Sequence, residues 1–207
     1  MENKNKQFSD FEPEDVLLAN QLFYTATSED YEEKNLLSSN SLRQYYNRLF
    51  SSYVFTNNTA EDTASWRCLD VGSGTGFLEM VLKDIVGELW ALDATYAMLE
   101  MARRKDLSKQ VHWLQGEALK LPFKKESFDL VCSNALLHHV ANYEDVLEGM
   151  VSLIKPSGKI FLGYEPNSIP YKLFQPLLLL LAGIVPEQRN KERIRLKSQQ
   201  DIYPQLK

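Results

Sequence analysis

The chain has 207 residues, enough for one or two domains and for a core that needs neither a metal nor a disulfide to fold. Hydrophobic residues make up 44% and charged residues 25%, which excludes a disordered tail and a collagen-like fibre. The formal net charge of −5 gives no overall attraction to nucleic acid, so no nucleic-acid partner is expected.

The two cysteines, Cys68 and Cys132, are far apart in the sequence and form no zinc-binding spacing. We therefore expect a reduced, cytoplasmic protein with no metal site, in which both are buried small residues. The N-terminus lacks the apolar segment of a signal peptide, and no apolar run reaches the roughly 18 residues of a membrane span.

Two helical patterns open the chain, Glu14–Thr25 and Ser41–Val54, and residues 57–62 are typical of a loop. Short apolar runs then alternate with helical patterns, as in buried parallel strands joined by right-handed crossovers. This alternation predicts an α/β fold, a Rossmann-like three-layer αβα sandwich with a mainly parallel sheet. The predicted strands are Trp66–Val71, Leu89–Leu92, Val111–Leu114, Phe128–Cys132 and Ile160–Tyr164, and the predicted helices between them are Phe77–Val86, Thr95–Leu107 and Asn142–Lys155.

The first predicted strand runs directly into the glycine turn, Gly72–Gly76, which opens a helix. Glycine lets a ligand approach the backbone, and the helix N-terminus offers free N–H groups. The spacing is G-x-G-x-G, whereas a dinucleotide fingerprint is G-x-G-x-x-G and would need glycine at Phe77. Asp70 stands where a pyrophosphate would bring negative charge, so the turn favours a cationic ligand such as S-adenosylmethionine. Asp93, at the end of the second strand, could accept two hydrogen bonds from a ribose diol.

Five segments in order resemble the motifs of the class I S-adenosylmethionine-dependent methyltransferases, in the small-molecule group called type 11. The resemblance implies a seven-stranded sheet, whereas only five strands are visible here, and we expect a truncated chain rather than a reduced five-stranded version. The matching segments are Leu69–Gly76, Leu92–Ala102, Gly116–Asp129, Ser133–His139 and Leu153–Lys159.

The resemblance also implies the cofactor S-adenosylmethionine, the product S-adenosylhomocysteine and a methyl group passed to a small molecule. In that scheme Asp70 orients the ammonium group, Asp93 holds the ribose, Met98 packs on the adenine, Glu117 accepts from the adenine amino group, and Asn134 lies near the methyl group. The full set of implied cofactor-binding residues is Asp70, Gly72, Ser73, Gly74, Gly76, Asp93, Ala94, Met98, Glu117, Ala118, Ser133 and Asn134.

Candidate catalytic side chains are few, because the cofactor supplies the reactive group and the protein supplies alignment. His138 and His139 follow the fourth strand, where packing at a helix start would explain both. His138 is the candidate general base if the acceptor needs one. Aromatic N-terminal helices often cover the cofactor in this family, but we expect core packing for each of these tyrosines: Tyr24, Tyr31, Tyr45, Tyr46 and Tyr164.

We divide the chain into an N-terminal helical cap over the cofactor site (1–64), a cofactor-binding core (65–167) and a C-terminal segment (168–207). That segment holds the apolar run Leu177–Val185 and the basic helical pattern Glu187–Gln200. The resemblance implies a substrate lid here, whereas the apolar-then-basic pattern itself would also suit weak membrane-surface contact through 170–200, and simple core packing is a third alternative. The lid and the membrane-surface contact both favour an apolar or amphipathic, lipid-like acceptor over a small polar one. Two other functions stay open, a non-catalytic S-adenosylmethionine-binding module and an NAD-dependent oxidoreductase, although Asp70 and Phe77 argue against the second.

Overall fold

The computed structural model describes residues 12–35, 39–105 and 111–165. The chain divides into two compact units, residues 1–164 and 165–207, and nearly all described residues belong to the first. The predicted lid and basic helix lie outside the described residues. Within the described ranges, no helix is long and apolar enough to cross a membrane.

A parallel sheet forms the centre of the first unit and confirms the predicted α/β fold. Every pairing between neighbouring strands is parallel, and the described strands are ordered β3-β2-β1-β4-β5. The order reverses between β1 and β4, and ligands of open α/β sheets bind in the crevice beyond the strand ends at such a point. The strands are β1 (Arg67–Val71), β2 (Glu88–Asp93), β3 (Val111–Gln115), β4 (Phe128–Asn134) and β5 (Ile154–Gly163).

Helices cover both faces of the sheet, as alternating side chains of its strands require. On β1, Cys68 faces the aromatic core of one side, while Leu69 faces the core of the other side. Both cysteines are buried, and their Sγ atoms lie 3.8 Å apart as free thiols on neighbouring strands. The helices are α1 (Pro13–Thr27), α2 (Tyr31–Lys34), α3 (Asn40–Leu49), α4 (Ala60–Thr63), α5 (Phe77–Leu82), α6 (Tyr96–Arg103) and α7 (Tyr143–Ser152), with 3₁₀ turns at Ser28–Asp30 and Leu137–His139 and a π turn at Phe50–Val54.

The prediction of a loop over residues 57–62 is wrong in its second half. Thr59 begins α4 with a capping box, in which its hydroxyl accepts from Asp62 N at 3.2 Å and its own N–H donates to the Asp62 carboxylate at 2.7 Å. Helix α5 ends at Leu82 rather than Val86, because the chain turns to reach β2, whose first N–H donates to the Trp66 carbonyl at 3.0 Å.

The last described strand also differs from its predicted limits. β5 begins at Ile154 rather than Ile160, and α7 ends at Ser152 rather than Lys155. Pairing with β4 shifts from Phe128↔Ile154 to Leu130↔Lys159, so the chain around Pro156 forms a bulge. Proline lacks the N–H that a regular ladder needs, which explains the bulge. The same proline, followed by Gly158, is typical of a turn, and the sequence was interpreted as one.

Candidate functional site

The glycine turn lies at the crevice between the ends of β1 and β4. Gly72, Gly74 and Gly76 have φ of +76°, +55° and +82°, a region in which other residues are strained. A Cβ at Gly72 would lie 2.8 Å from Leu136 Cδ1, whereas a Cβ at Gly74 would meet no heavy atom within 4 Å. The turn therefore needs its first glycine for packing and leaves open space above its second.

Asp93 is tied to this turn through the backbone. Its Oδ2 accepts from Gly74 N at 2.8 Å, and its Oδ1 accepts from Thr95 N at 2.7 Å. Burial raises the pKa of Asp93, and the two backbone hydrogen bonds oppose that rise. Each carboxylate oxygen keeps a further lone pair, so Asp93 can still accept hydrogen bonds from a diol.

Two cavities meet at the glycine turn. The β2 cavity, of about 170 Å³, runs along the ends of β2 and β3 and is floored by Asp93, Ala94 and Met98. The tyrosine cavity, of about 510 Å³, lies on the other side of the turn and takes its name from its aromatic walls. Residues shared by both linings are Tyr31, Gly72, Gly74, Asn134 and Ala135.

Most residues predicted to bind the cofactor line one of these cavities. Those at the β2 cavity are Ala94, Asp93, Met98, Glu117 and Ala118; those at the tyrosine cavity are Asp70 and Ser73; those at both are Gly72, Gly74 and Asn134. Gly76 and Ser133 line neither. His138 also lies outside both linings, on a 3₁₀ turn, whereas its neighbour His139 lines the β2 cavity. The assignment of His138 as a general base stays a prediction.

The prediction of core packing is wrong for two of the five tyrosines, which line the tyrosine cavity instead. Tyr45 is 51% exposed and Tyr164 is 79% exposed, and both line this cavity. Tyr46 is buried, and its hydroxyl donates to Asn134 Oδ1 at 2.5 Å. Burial raises the pKa of Tyr46 to about 12, so its hydroxyl stays neutral and holds the Asn134 amide at the junction of the two cavities.

Buried polar atoms without partners cluster beneath the glycine turn. Asp70 is 2% exposed and Glu79, on the first turn of α5, is fully buried, and burial raises the pKa of both carboxyls. The pKa of Asp70 rises to about 7. Among the described residues, no N–H or hydroxyl donates to these buried oxygens, although the carboxyls of Asp70 and Glu79 act on each other: Asp70 Oδ1, Ser73 Oγ, Thr75 Oγ1, Glu79 Oε1 and Oε2, and Ser133 Oγ.

Helix α1 is bonded to the rim of the β2 cavity. Asn20 Nδ2 donates to the His139 carbonyl at 2.6 Å, and Gln21 Nε2 donates to the Ala94 carbonyl at 2.9 Å. The Tyr24 hydroxyl lies 2.9 Å from His139 Nε2. These contacts join the N-terminal helices to the ends of β2 and β4.

Sequence reasoning missed Asn20, Gln21 and Glu79 as residues of the site. An acid in the first turn of a helix is favourable on any exposed helix, so Glu79 carried no signal of burial. Asn20 and Gln21 bond to residues far along the chain, and a single polar side chain on a helix does not reveal such a partner.

An open parallel sheet with a glycine turn and an acid at its switch point defines an α/β domain that binds a nucleoside-containing cofactor. Residues 69–162 match the family model Methyltransf_11, described as a methyltransferase domain. This part of the chain belongs to the type 11 group of the class I S-adenosylmethionine-dependent methyltransferases.

Similar proteins agree with this assignment. The chain is 30% identical to a demethylmenaquinone methyltransferase from Bacillus cereus over 153 residues, which is 68% of this chain and 65% of that protein. It is 28% identical to the ubiquinone/menaquinone biosynthesis C-methyltransferase UbiE from Vibrio vulnificus over 156 residues, 72% of this chain and 57% of that protein. The chain thus spans less than two thirds of the length of either relative.

A solved structure supports the fold. The complex of DhpI with SAM and HEP superimposes with a TM-score of 0.61 at 18% identity, covering 80% of this chain and 73% of that one. At this identity the likeness shows the fold alone.

S-adenosylmethionine is the cofactor of this domain. The residues present fit this cofactor, because Asp70 lines a cavity and keeps a carboxyl oxygen without a hydrogen-bond partner, which suits a cation rather than a pyrophosphate. The oxidoreductase and the non-catalytic module are not favoured.

Proposed function

We propose that the protein transfers a methyl group from S-adenosylmethionine to a small, partly apolar acceptor bound in the tyrosine cavity. The observation that carries this proposal is the meeting of the two cavities at Gly72, Gly74 and Asn134. A cofactor whose nucleoside occupies the β2 cavity would bring its methionine end to that junction. An acceptor in the tyrosine cavity would then lie next to the transferred group.

When bound, the cofactor supplies a methyl carbon on a cationic sulfonium, open to in-line displacement. The residues of the chain bind this cofactor and align it with the acceptor. Asp93 accepts from the ribose hydroxyls, Met98 packs on the adenine, Glu117 and Ala118 contact its edge, and Asp70 holds the ammonium group. Backbone groups of the glycine turn line the methionine part. The complete proposed set is Asp70, Gly72, Ser73, Gly74, Gly76, Asp93, Ala94, Met98, Glu117, Ala118, Ser133 and Asn134.

The first acceptors to test are hydroxylated aromatic rings of the quinol type. The walls of the tyrosine cavity include Tyr45, Tyr46, Phe77 and Tyr164, which suit a flat apolar ring. The two relatives named above are named for quinone methylation, which supports the same class.

His138 is kept as the proposed general base. A His138→Gln variant that keeps full activity on such an acceptor would remove it from the mechanism.

The N-terminal residues 1–64 form, in this proposal, a cap over the cofactor. Support comes from the hydrogen bonds of Asn20 and Gln21 to the rim of the β2 cavity, and from Lys105, which bonds both to Glu32 and to the Thr75 carbonyl.

Cytoplasmic location is part of the proposal and is supported by the free thiols of Cys68 and Cys132. Weak contact of residues 170–200 with a membrane surface is proposed from their apolar and basic composition.

The experiment has two stages. Isothermal titration with S-adenosylhomocysteine measures cofactor binding, and transfer of a labelled methyl group to quinols, phenols and fatty acids measures the reaction. We expect binding together with transfer to an aromatic acceptor. Binding without transfer to any acceptor would instead favour the non-catalytic module, and absence of binding would contradict the proposal entirely.

A further inference from the structure

Glu79 lies under the glycine turn in a position where a charge has no obvious place. It is fully buried on the first turn of α5, and no N–H or hydroxyl of another described residue reaches either of its oxygens. Its side chain interacts directly with the carboxyl of Asp70, which is itself 2% exposed. Two carboxylates so close in a buried site cannot both remain ionised, so the pair shares a proton.

Among the described residues, the charged and titratable groups that act on the pair include no cation to balance a second negative charge. The titratable groups that face it are Asp93 on β2, Cys68 on β1, Cys132 on β4 and Tyr46 on α3. Burial raises the pKa of the Cys132 thiol and of the Tyr46 hydroxyl, so both are neutral near pH 7. The two carboxyls therefore determine the charge at this point.

The two members of the pair are not equivalent toward the ligand. Asp70 lines the tyrosine cavity and keeps Oδ1 without a protein partner, whereas Glu79 lines neither cavity. Burial, followed by the charge of Asp70, raises the pKa of Glu79 well above its ordinary value. Because only Asp70 lines a cavity where a ligand charge could balance its own, we place the shared proton on Glu79 and the negative charge on Asp70.

We propose that Glu79 is a positioning residue for the cofactor: its neutral carboxyl donates a hydrogen bond to the Asp70 carboxylate and keeps it ionised and aimed at the ammonium group of the methionine moiety. This inference rests on the role proposed above for Asp70. A hydrogen bond to the charged form of an acid favours that form, so loss of the donor leaves Asp70 more readily protonated and less able to bind a cation.

The matched variants are Glu79→Gln, which keeps a donor at the same place, and Glu79→Met, which has a similar length and no donor. The probe is S-adenosylhomocysteine, which carries the ammonium group, titrated by calorimetry between about pH 6 and pH 8. For the unmodified protein we expect affinity to fall as the pH drops below about 7, because Asp70 becomes protonated there.

For Glu79→Met we expect roughly tenfold weaker binding near pH 7 and a pH profile displaced to higher pH. Glu79→Gln should bind like the unmodified protein. Loss of packing alone would weaken binding equally at every pH. The proposal is overturned if Glu79→Met keeps the unmodified profile, or if Glu79→Gln is weakened as much as Glu79→Met. Thermal unfolding of both variants checks that they are folded.

The Asp70→Asn variant separates this inference from the role of Asp70. It should bind weakly and without pH dependence in this range. If it binds as tightly as the unmodified protein, the Asp70 role fails and the inference fails with it. If Asp70→Asn is weak but the two Glu79 variants are indistinguishable, only the inference about Glu79 fails.

Discussion

The backbone N–H of Gly74 donates a hydrogen bond of 2.8 Å to Oδ2 of Asp93. This bond joins the glycine turn that follows β1 to the acid that ends β2. The carboxylate proposed to accept from the ribose therefore also holds the glycine turn in shape. Binding and local stability therefore depend on one side chain.

Replacing Asp93 with asparagine should harm both properties. One backbone N–H, of Gly74 or Thr95, would face an amide NH₂ instead of an oxygen, which costs about 1–3 kcal/mol of unfolding free energy. Affinity for S-adenosylhomocysteine should fall about tenfold or more, since two charge-assisted acceptors are reduced to one neutral oxygen. Urea unfolding and calorimetry measure the two effects. The exposed Asp84→Asn is the control, and an equal loss in that variant would contradict the prediction.

Substitutions at two glycines of the turn should distinguish a glycine needed for packing from one that leaves space for the ligand. Gly72→Ala combines a left-handed φ with a Cβ 2.8 Å from Leu136, so we expect a loss of unfolding free energy above the roughly 1–2 kcal/mol of backbone strain alone. Gly74→Ala has the strain without the clash, and its methyl group should weaken cofactor binding more than stability. Gly149→Ala, on α7 with its nearest contact at 3.7 Å, should stabilise by about 0.4–1 kcal/mol. Equal stability losses at Gly72 and Gly74 would refute this ranking.

The sequence was sufficient to predict the sheet, because five apolar runs alternate with helical patterns and each run became a strand. The glycine turn and Asp93 could also be found, since their chemistry follows from their place at strand ends. The bulge around Pro156 could not be predicted, because the segment Pro156–Gly158 has the same composition as a turn. Nor could the burial of Glu79, which depends on how α5 packs over β1 rather than on any local pattern.

Tyr46 and Asn134 should act as one unit at the junction of the cavities. Tyr46→Phe removes the hydroxyl that donates to Asn134 Oδ1 and leaves that oxygen without this partner. We expect kcat to fall more than cofactor affinity, by about tenfold, because the Asn134 amide would no longer be held next to the methyl group. Steady-state kinetics with the acceptor found in the panel measures this. Tyr53→Phe, where the tyrosine is 78% exposed, should change nothing, and a similar loss there would contradict the argument.

The hydrogen bonds of α1 should slow release of the cofactor. The double variant Asn20→Ala/Gln21→Ala removes both side-chain donors to the rim, to the carbonyls of His139 and Ala94. Each such bond contributes about 0.5–1.5 kcal/mol, so we expect roughly a tenfold faster dissociation of S-adenosylhomocysteine. Stopped-flow displacement measures the rate. Leu22→Ala, at an exposed position of the same helix, is the control, and an unchanged rate in the double variant would show that α1 does not cap the site.

The buried pair should also make the unliganded protein less stable as the pH rises. The pKa of Asp70 is raised from its ordinary 3.8 to about 7, and that of Glu79 is raised well above 4.5. Folding therefore takes up protons between about pH 4 and pH 7, so this contribution is complete at the acidic end of the window and is lost as pH rises through it. For each carboxyl that is protonated in the folded state but ionised in the unfolded chain, the unfolding free energy falls by up to about 1.4 kcal/mol for each unit by which the pH rises.

The neutral double variant Asp70→Asn/Glu79→Gln removes both protonation equilibria. We expect it to match the unmodified protein near pH 4 and to become progressively more stable than it toward pH 7, by urea unfolding at several pH values. The exposed pair Asp84→Asn/Glu148→Gln should show no widening difference. A gap that stays constant or narrows with pH would mean that the two carboxyls ionise at least as easily in the folded protein as in the unfolded chain. The widening gap would show that a charge kept for binding a cation lowers the stability of the empty site.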